Sequence, residues 1–404
     1  MNTEFDTKYA HLILAMVNLQ KGQRVIIRGE PILWDFYQTL SEQAYKQGAS
    51  HVEVWPLSQQ LQRIKVDYAQ EQHLSYLPQD LFIRYHQALK ENAVFIRVHT
   101  LIEEDVFHGV DSHRYAICNK QYANMNKKFL DKVMADECQW IVVLYPSRAW
   151  TQRVLGPTAD LREAFELLTP ILLGQGDDAV AWWKQNNKQV HMRAQKLTQL
   201  HIQTLHIYNE KTNLTFYLSE RSQWLNATTV SRSGISFMCN LPSFEVFTTP
   251  DCRKTHGSVM LTRPVEINDL LVEDAYFEFE EGKVTSFSAK KGQEALRILF
   301  EDPGSRRIGE IALVDKHSPV ARSRLFFYDT LVDENAAIHM AFGQAYIQGL
   351  EGGARMKEQQ LDDIGFNNAT YHSDVMIGDE HTQVEANCYD GRTYRIMESG
   401  EFVI

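Results

Sequence analysis

The sequence predicts two domains: an α/β N-terminal domain with a largely parallel sheet, then an α+β domain with much antiparallel sheet. Three observations carry this. In the first half, short β-branched apolar runs alternate with helical segments, the pattern of βαβ units. Beyond Tyr208 the style changes, and short strands follow one another closely. The chain has 404 residues, more than one domain of about 100–200 residues usually holds.

Arg24 to Ile27 (RVII) follows the turn signal Lys21-Gly22 and reads as a buried strand. Trp34 to Tyr45 reads as a helix that stops near Gly48. His51 to Trp55 (HVEVW) alternates like a strand. Ala93 to Val98 and Trp140 to Tyr145 are further strand-like runs, and Asn124 to Met134 between them is helical in composition. These elements make up a domain over residues 1–190. Asp177 to Leu205 is long, polar and helical in pattern. In the second domain, residues 191–404, strands are expected at Leu214–Leu218, Ser236–Met238, Glu245–Thr248, Tyr276–Glu280 and Val284–Ser288. A helix is expected over Asp333–Gln348. No internal repeat or Pro/Gly-rich linker separates the two, so close packing is expected.

Lys and Arg number 41 against 52 Asp and Glu, a formal net charge of −11. That balance argues against a nucleic-acid or anionic-membrane binder, because both need a cationic face. The five cysteines are scattered and none forms a C-x-x-C pair, which argues against a disulfide framework or a cysteine zinc site. The N-terminus has no basic region before a long apolar stretch, and no apolar run approaches bilayer length. A cytoplasmic protein is expected.

Residues 174–179 (GQGDDA) match the dinucleotide fingerprint with Ala in its third position. The segment before them, Ala159 to Leu168, reads as a helix instead of a strand, and two aspartates would repel a pyrophosphate. A turn between helices is the simpler reading. P-loop, nucleophile-elbow and H-E-x-x-H patterns are absent.

Four segments of the second domain each offer a metal-type ligand. In 240–250 (NLPSFEVFTTP), strand alternation puts Glu245 on one face with Ser243 and Phe247. In 307–314 (RIGEIALV), Glu310 shares a face with Ile308, Ala312 and Val314, where a carboxylate needs a cation or a hydrogen-bond partner. In 333–346 (DENAAIHMAFGQAY), helical spacing puts His339 and Tyr346 on one face. In 372–378 (HSDVMIG), His372 and Asp374 project to the same side of a strand. Taken singly, each has a plainer reading. Glu245 fits a solvent-facing strand, Glu310 fits pairing with Arg306, Arg307 or Lys316, and His339 fits a satisfied core histidine. Tyr346 fits amphipathic packing, and Asp333 with Glu334 fits a helix N-terminus.

In their order, the four segments resemble the M29 family of metallo-aminopeptidases, the aminopeptidase T type. That family's pattern runs N-x-P-x-G-E-V-[FY]-T-x-P, then a G-E strand, then D-E-N-A-A-x-H-x-A-x-G-x-A-Y, then H-x-D-x-M-I-G. The resemblance covers Thr212 to Gly378 well and the first half in style. It implies two divalent metal ions (zinc, cobalt, manganese or magnesium) held by Glu245, Glu310, His339, His372 and Asp374. It places Tyr346 on the family's catalytic tyrosine, with Glu310 a candidate general acid or base. It further implies hydrolysis of the N-terminal peptide bond of short peptides with a free N-terminus, and a homodimer whose N-terminal domains gate the site. Phe244 stands where the family usually has Gly, and 251–257 (DCRKTHG) departs from its usual acidic, glycine-containing loop. Both departures bear on substrate choice. Three other classes compete with this reading: another dinuclear hydrolase (an amidase or a phosphoesterase served by Arg322 and Arg324), a non-catalytic binding protein on the same fold, and more distantly a Rossmann oxidoreductase.

Overall fold

The computed structural model describes residues 3–102, 106–107, 109–111, 113–120, 129, 132–133, 135–267 and 270–404. The expected helix over 124–134 lies largely outside the described residues. The chain divides into two compact units: residues 1–183 with 228–241, and residues 184–227 with 242–404.

In the first unit, five strands among the described residues form one sheet. Their order is His51–Pro56, Arg24–Gly29, Val94–His99, Trp140–Leu144 and Asn240–Leu241, and every pairing is parallel. Alternation explains why the strands pack on both sides. Ile26 and Phe95 join Trp55, Tyr85 and Ala88 in one core cluster, while Val25 and Ile27 face the other way. The last strand explains why 228–241, which the sequence assigns to the second domain, clusters here: Asn240–Leu241 hydrogen-bonds along Trp140–Leu144. The GQGDDA segment lies between the helical turn Thr169–Leu173 and the helix Ala179–Gln199, and no strand precedes it.

The second unit contains an antiparallel sheet with eight strands among the described residues and a smaller antiparallel sheet with four. The larger runs Lys283–Ser288, Tyr276–Glu280, His256–Met260, Asn213–Tyr217, Ile202–Tyr208, Gln383–Cys388, Thr393–Glu398, Glu401–Phe402. The smaller runs Glu245–Thr248, Ile308–Val314, His339–Gly343, His372–Met376. One core joins them. Val246, Ile311, Leu313, Met340, Phe342 and Val375 meet Leu205, Phe216, Val259, Phe277 and Val384. The rings of Phe277 and Phe342 sit edge-on at 5.0 Å, a pairing worth about 0.5–1.5 kcal/mol beyond its buried area.

Three sequence expectations need correction. The helix expected to run to Leu205 stops at Gln199, where His201 turns into the left-handed region at φ 48°. Ile202–Tyr208 is then a strand with Ile202, Leu205 and Ile207 buried. The expected helix Asp333–Gln348 is replaced by a short helix Thr330–Asp333, a 3-10 turn Glu334–Ala336 and the strand His339–Gly343. The alanines favour helix by a few tenths of a kcal/mol per residue. Ala341, however, lies in a segment buried on both faces and paired on both edges, which decides for strand over His339–Gly343. Finally, a β-bulge between Ile308 and Glu310 turns Ile308 into the core, so it does not share the face of Glu310. At the bulge Gly309 is required, since a Cβ there would meet the Gly343 carbonyl at 2.3 Å.

Candidate metal centre

The smaller sheet has two unlike faces. One is the core just described. On the other, register lines up Glu310, Ala341 and Asp374 across three adjacent strands. Ala312 pairs with His339, and Gly343 with His372. Small residues at 312, 341 and 343 leave room between the larger polar side chains. Glu245 begins the neighbouring strand opposite Val314. All five sequence-nominated ligands therefore stand on one face.

Their functional atoms converge in two groups. Glu245, Glu310 and His339 form one, and Glu310, His372 and Asp374 the other; within each, ligand-type atoms lie within 4.8 Å of one another. Glu310 belongs to both. His339 Nε2 lies 3.0 Å from Glu245 Oε2, and His372 Nε2 lies 3.3 Å from Asp374 and 3.4 Å from Glu310.

The imidazoles are oriented from behind. His372 Nδ1 lies 2.7 Å from the Gln344 carbonyl, and His339 Nδ1 lies 3.2 Å from the Ala337 carbonyl. A carbonyl only accepts, so each Nδ1 carries a proton and each Nε2 faces the carboxylates, where it holds either a second proton or a metal ion. A bare lone pair facing a carboxylate oxygen is repulsive, so a proton or a metal ion has to lie between them. The Oε2 of Glu245 is buried with no hydrogen-bond partner, although it lies 3.0 Å from His339 Nε2. An orphaned buried carboxylate oxygen beside an imidazole Nε2 is a donor arrangement that a divalent ion satisfies.

Electrostatics give the same answer. Burial, against the pull of His372 and with the repulsion of Asp374 and Glu245, pushes Glu310 up to about 8. Burial opposes charge on both histidines, yet Asp374 and Glu310 drive His372 up to about 10, and Glu245 with the other carboxylates drives His339 up to about 9. Burial would likewise raise Asp374, but His372 and His339 hold it below the ordinary value. The cluster demands positive charge, which protons or metal ions supply.

Two further side chains complete the site. Tyr346 follows the strand His339–Gly343, and its ring sits edge-on to His372 at 5.0 Å and tilted against Phe247 at 5.5 Å. It reaches the site from this connection, not from one helix face shared with His339. Burial and the surrounding carboxylates hold its phenol protonated well above the usual range. Glu334 is the residue that sequence reasoning missed. The helix N-terminus assigned to it would be exposed, whereas Glu334 is buried. Burial and the nearby charges of Glu245, Asp374 and Glu310 raise it well above the ordinary value. The available signal was slight: Glu334 lies between Asp333 and Asn335, just before the apolar run Ala336-Ala337-Ile338.

Asn335 connects these pieces. It is fully buried, its Oδ1 accepts from the Phe244 N–H at 2.6 Å, and its Nδ2 donates to the Leu331 carbonyl at 2.9 Å. The segment bearing Glu245 is thereby tied to the turn bearing Glu334. Phe244 is itself buried.

Comparison with known proteins follows this geometry. A family model described as thermophilic metalloprotease (M29) matches residues 4–402. Aminopeptidase AmpS of Bacillus subtilis is 32% identical over 400 residues, covering 98% of this chain and 97% of the relative. Aminopeptidase T of Thermus thermophilus is 32% identical over 402 residues, covering 98% of each. The solved structure of wild-type AmpT from Thermus thermophilus superposes with a TM-score of 0.92 over 99% of both chains, at 32% identity.

Proposed function

The chain belongs to the thermophilic metalloprotease (M29) family and is a metal-dependent aminopeptidase, and on that premise we propose that it cleaves the N-terminal peptide bond of short peptides at a pair of divalent ions. The observation that carries this reading is the membership of Glu310 in both ligand groups. One carboxylate common to two such groups suits two ions, with Glu245 and His339 on one and His372 and Asp374 on the other. Mixed carboxylate and imidazole donors suit zinc, cobalt or manganese.

Bound there, divalent ions would polarise the scissile carbonyl and lower the pKa of a water molecule. The chain's own groups supply the rest. Glu310 is committed to the metals in this arrangement, so we assign the proton-carrying role to Glu334. A buried carboxyl beside three other carboxylates holds a proton readily, as a group must that accepts one from water and passes it to the leaving amine. Tyr346 remains a neutral phenol and donates a hydrogen bond to the oxyanion as the carbonyl carbon becomes tetrahedral. A free substrate α-amine orients the first peptide bond at the centre.

The N-terminal domain, which carries no recognisable catalytic motif, is assigned a gating and dimerisation role, and the protein is expected to be a cytoplasmic homodimer. Among the described residues no helix is long and apolar enough to cross a membrane. The test is mass spectrometry of digests of matched peptides with free and acetylated N-termini, alongside light scattering. Stepwise loss of residues from the free peptide alone is expected. Internal cleavage of the acetylated peptide removes the aminopeptidase reading, and an active particle of one chain mass removes the dimer.

A further inference from the structure

The parallel sheet of the first unit has its own switch point. From Arg24–Gly29 the chain builds His51–Pro56 on one side, then crosses to place Val94–His99 on the other. The segments leaving the central strand and Val94–His99 therefore diverge at the carboxyl ends of the two strands. In open α/β sheets, that crevice is where ligands bind.

Two arginines flank it. Arg28 and Arg97 are register partners on these adjacent strands, which stand about 4.8 Å apart and project partnered side chains to one side. Like charges directly opposite each other are destabilising. Glu30, on the loop leaving the first strand, lies close enough to Arg97 to feel its charge, and its Oε1 accepts from the Gln59 N–H at 3.0 Å.

Arg28 is the informative residue. It is only 8% exposed, and its Nε is buried with no hydrogen-bond partner. Among the described residues no carboxylate pairs with it. Aromatic rings cover it instead: Tyr85 at 5.3 Å and Phe129 at 5.5 Å from its guanidinium carbon. The two ring centroids are 4.3 Å apart, so both lie to one side of the guanidinium, and its buried Nε–H is left without an acceptor. The N–H edge of a guanidinium is the one that grips a carboxylate or phosphate with two parallel hydrogen bonds. A third cation, Arg84, sits over Trp55, the register partner of Arg28 on the outer strand.

We propose that the carboxyl edge of this sheet is an anion-binding site, in which Arg28, with Arg97 beside it, receives the carboxylate or phosphate group of a small ligand. The site is independent of the metal centre. An aromatic-packed arginine of purely structural use would leave Nε unsatisfied, whereas a bound oxyanion satisfies it.

Isothermal titration calorimetry on the full metal-loaded chain tests this, with inorganic phosphate and N-acetylglycine as separate probes. The second offers a carboxylate with no free amine. Binding of one probe is expected, and which one binds identifies the source of the anion. Arg28→Lys keeps the charge but loses the fork and should weaken binding about tenfold or more. Arg97→Lys should weaken it by a smaller factor and serves as the second variant if Arg28→Lys does not fold. The same affinity after chelation is expected. No binding of either probe overturns the proposal, as does binding indifferent to both variants or binding abolished by chelation.

Discussion

Asn335→Ala removes the clamp between the two halves of the metal centre. The side chain is fully buried, so water cannot replace what is lost. The Phe244 N–H loses its 2.6 Å acceptor in a buried setting, which costs about 1–3 kcal/mol. The 2.9 Å bond to the Leu331 carbonyl goes as well, for about 1 kcal/mol more. A loss of roughly 2–4 kcal/mol in unfolding free energy is expected by urea titration at neutral pH. Function should fall further than stability explains. Glu245 directly follows Phe244, and a displacement of about 1 Å in a catalytic constellation can cost about 10²-fold. Turnover of an aminoacyl-p-nitroanilide, measured where the variant is still fully folded, should drop by about that factor. A variant within 1 kcal/mol of wild type and with unchanged turnover would show that Asn335 neither holds the fold nor places Glu245.

Three other outcomes are expected. Tyr346→Phe should retain metal and near-normal Michaelis constants while turnover falls about 10²–10³-fold, because the hydroxyl acts on the developing oxyanion; an unchanged rate in stopped-flow assays removes that role. Glu334→Gln should also keep its metal and lose about 10²–10⁴-fold in turnover, and retention of full activity returns the proton-carrying role to another group. The third concerns Asp251, which burial alone would raise but which its contacts with Arg253 (2.9 Å) and Lys254 (3.1 Å) hold below the ordinary carboxylate value. A depressed folded pKa stabilises fully above the unfolded value of about 3.9 and is lost as pH falls through the folded one. Asp251→Asn should therefore lower stability at pH 6 and flatten the acid limb below about pH 4, and parallel wild-type and variant curves in pH-dependent denaturation contradict it.

Much of this was readable in the chain because alternation and turn residues act locally. Strands Ser236–Met238, Glu245–Thr248 and Tyr276–Glu280 have the expected limits. Around His339 the sequence misleads, since Ala336, Ala337 and Ala341 favour helix while pairing to Ile308–Val314 and His372–Met376 is a long-range effect. His339 and Tyr346 still reach the site, by a strand and the turn after it. Glu334 was hidden for a related reason. An acidic residue after Asp333 reads as a helix start, and only the tertiary fold reveals that both are buried. The anion-site arginines carry no local signal, because Arg28 and Arg97 meet only through strand register.

Metal content measured together with activity tests the account most directly. Elemental analysis of the purified chain, before and after chelation and after add-back of single divalent metals, is set beside the rate of N-terminal residue release. Two ions per chain, loss of activity on chelation and its return with add-back are expected, with metal content reduced in His339→Ala and Asp374→Ala. Full peptidase activity in a chain stripped of metal would contradict the central claim.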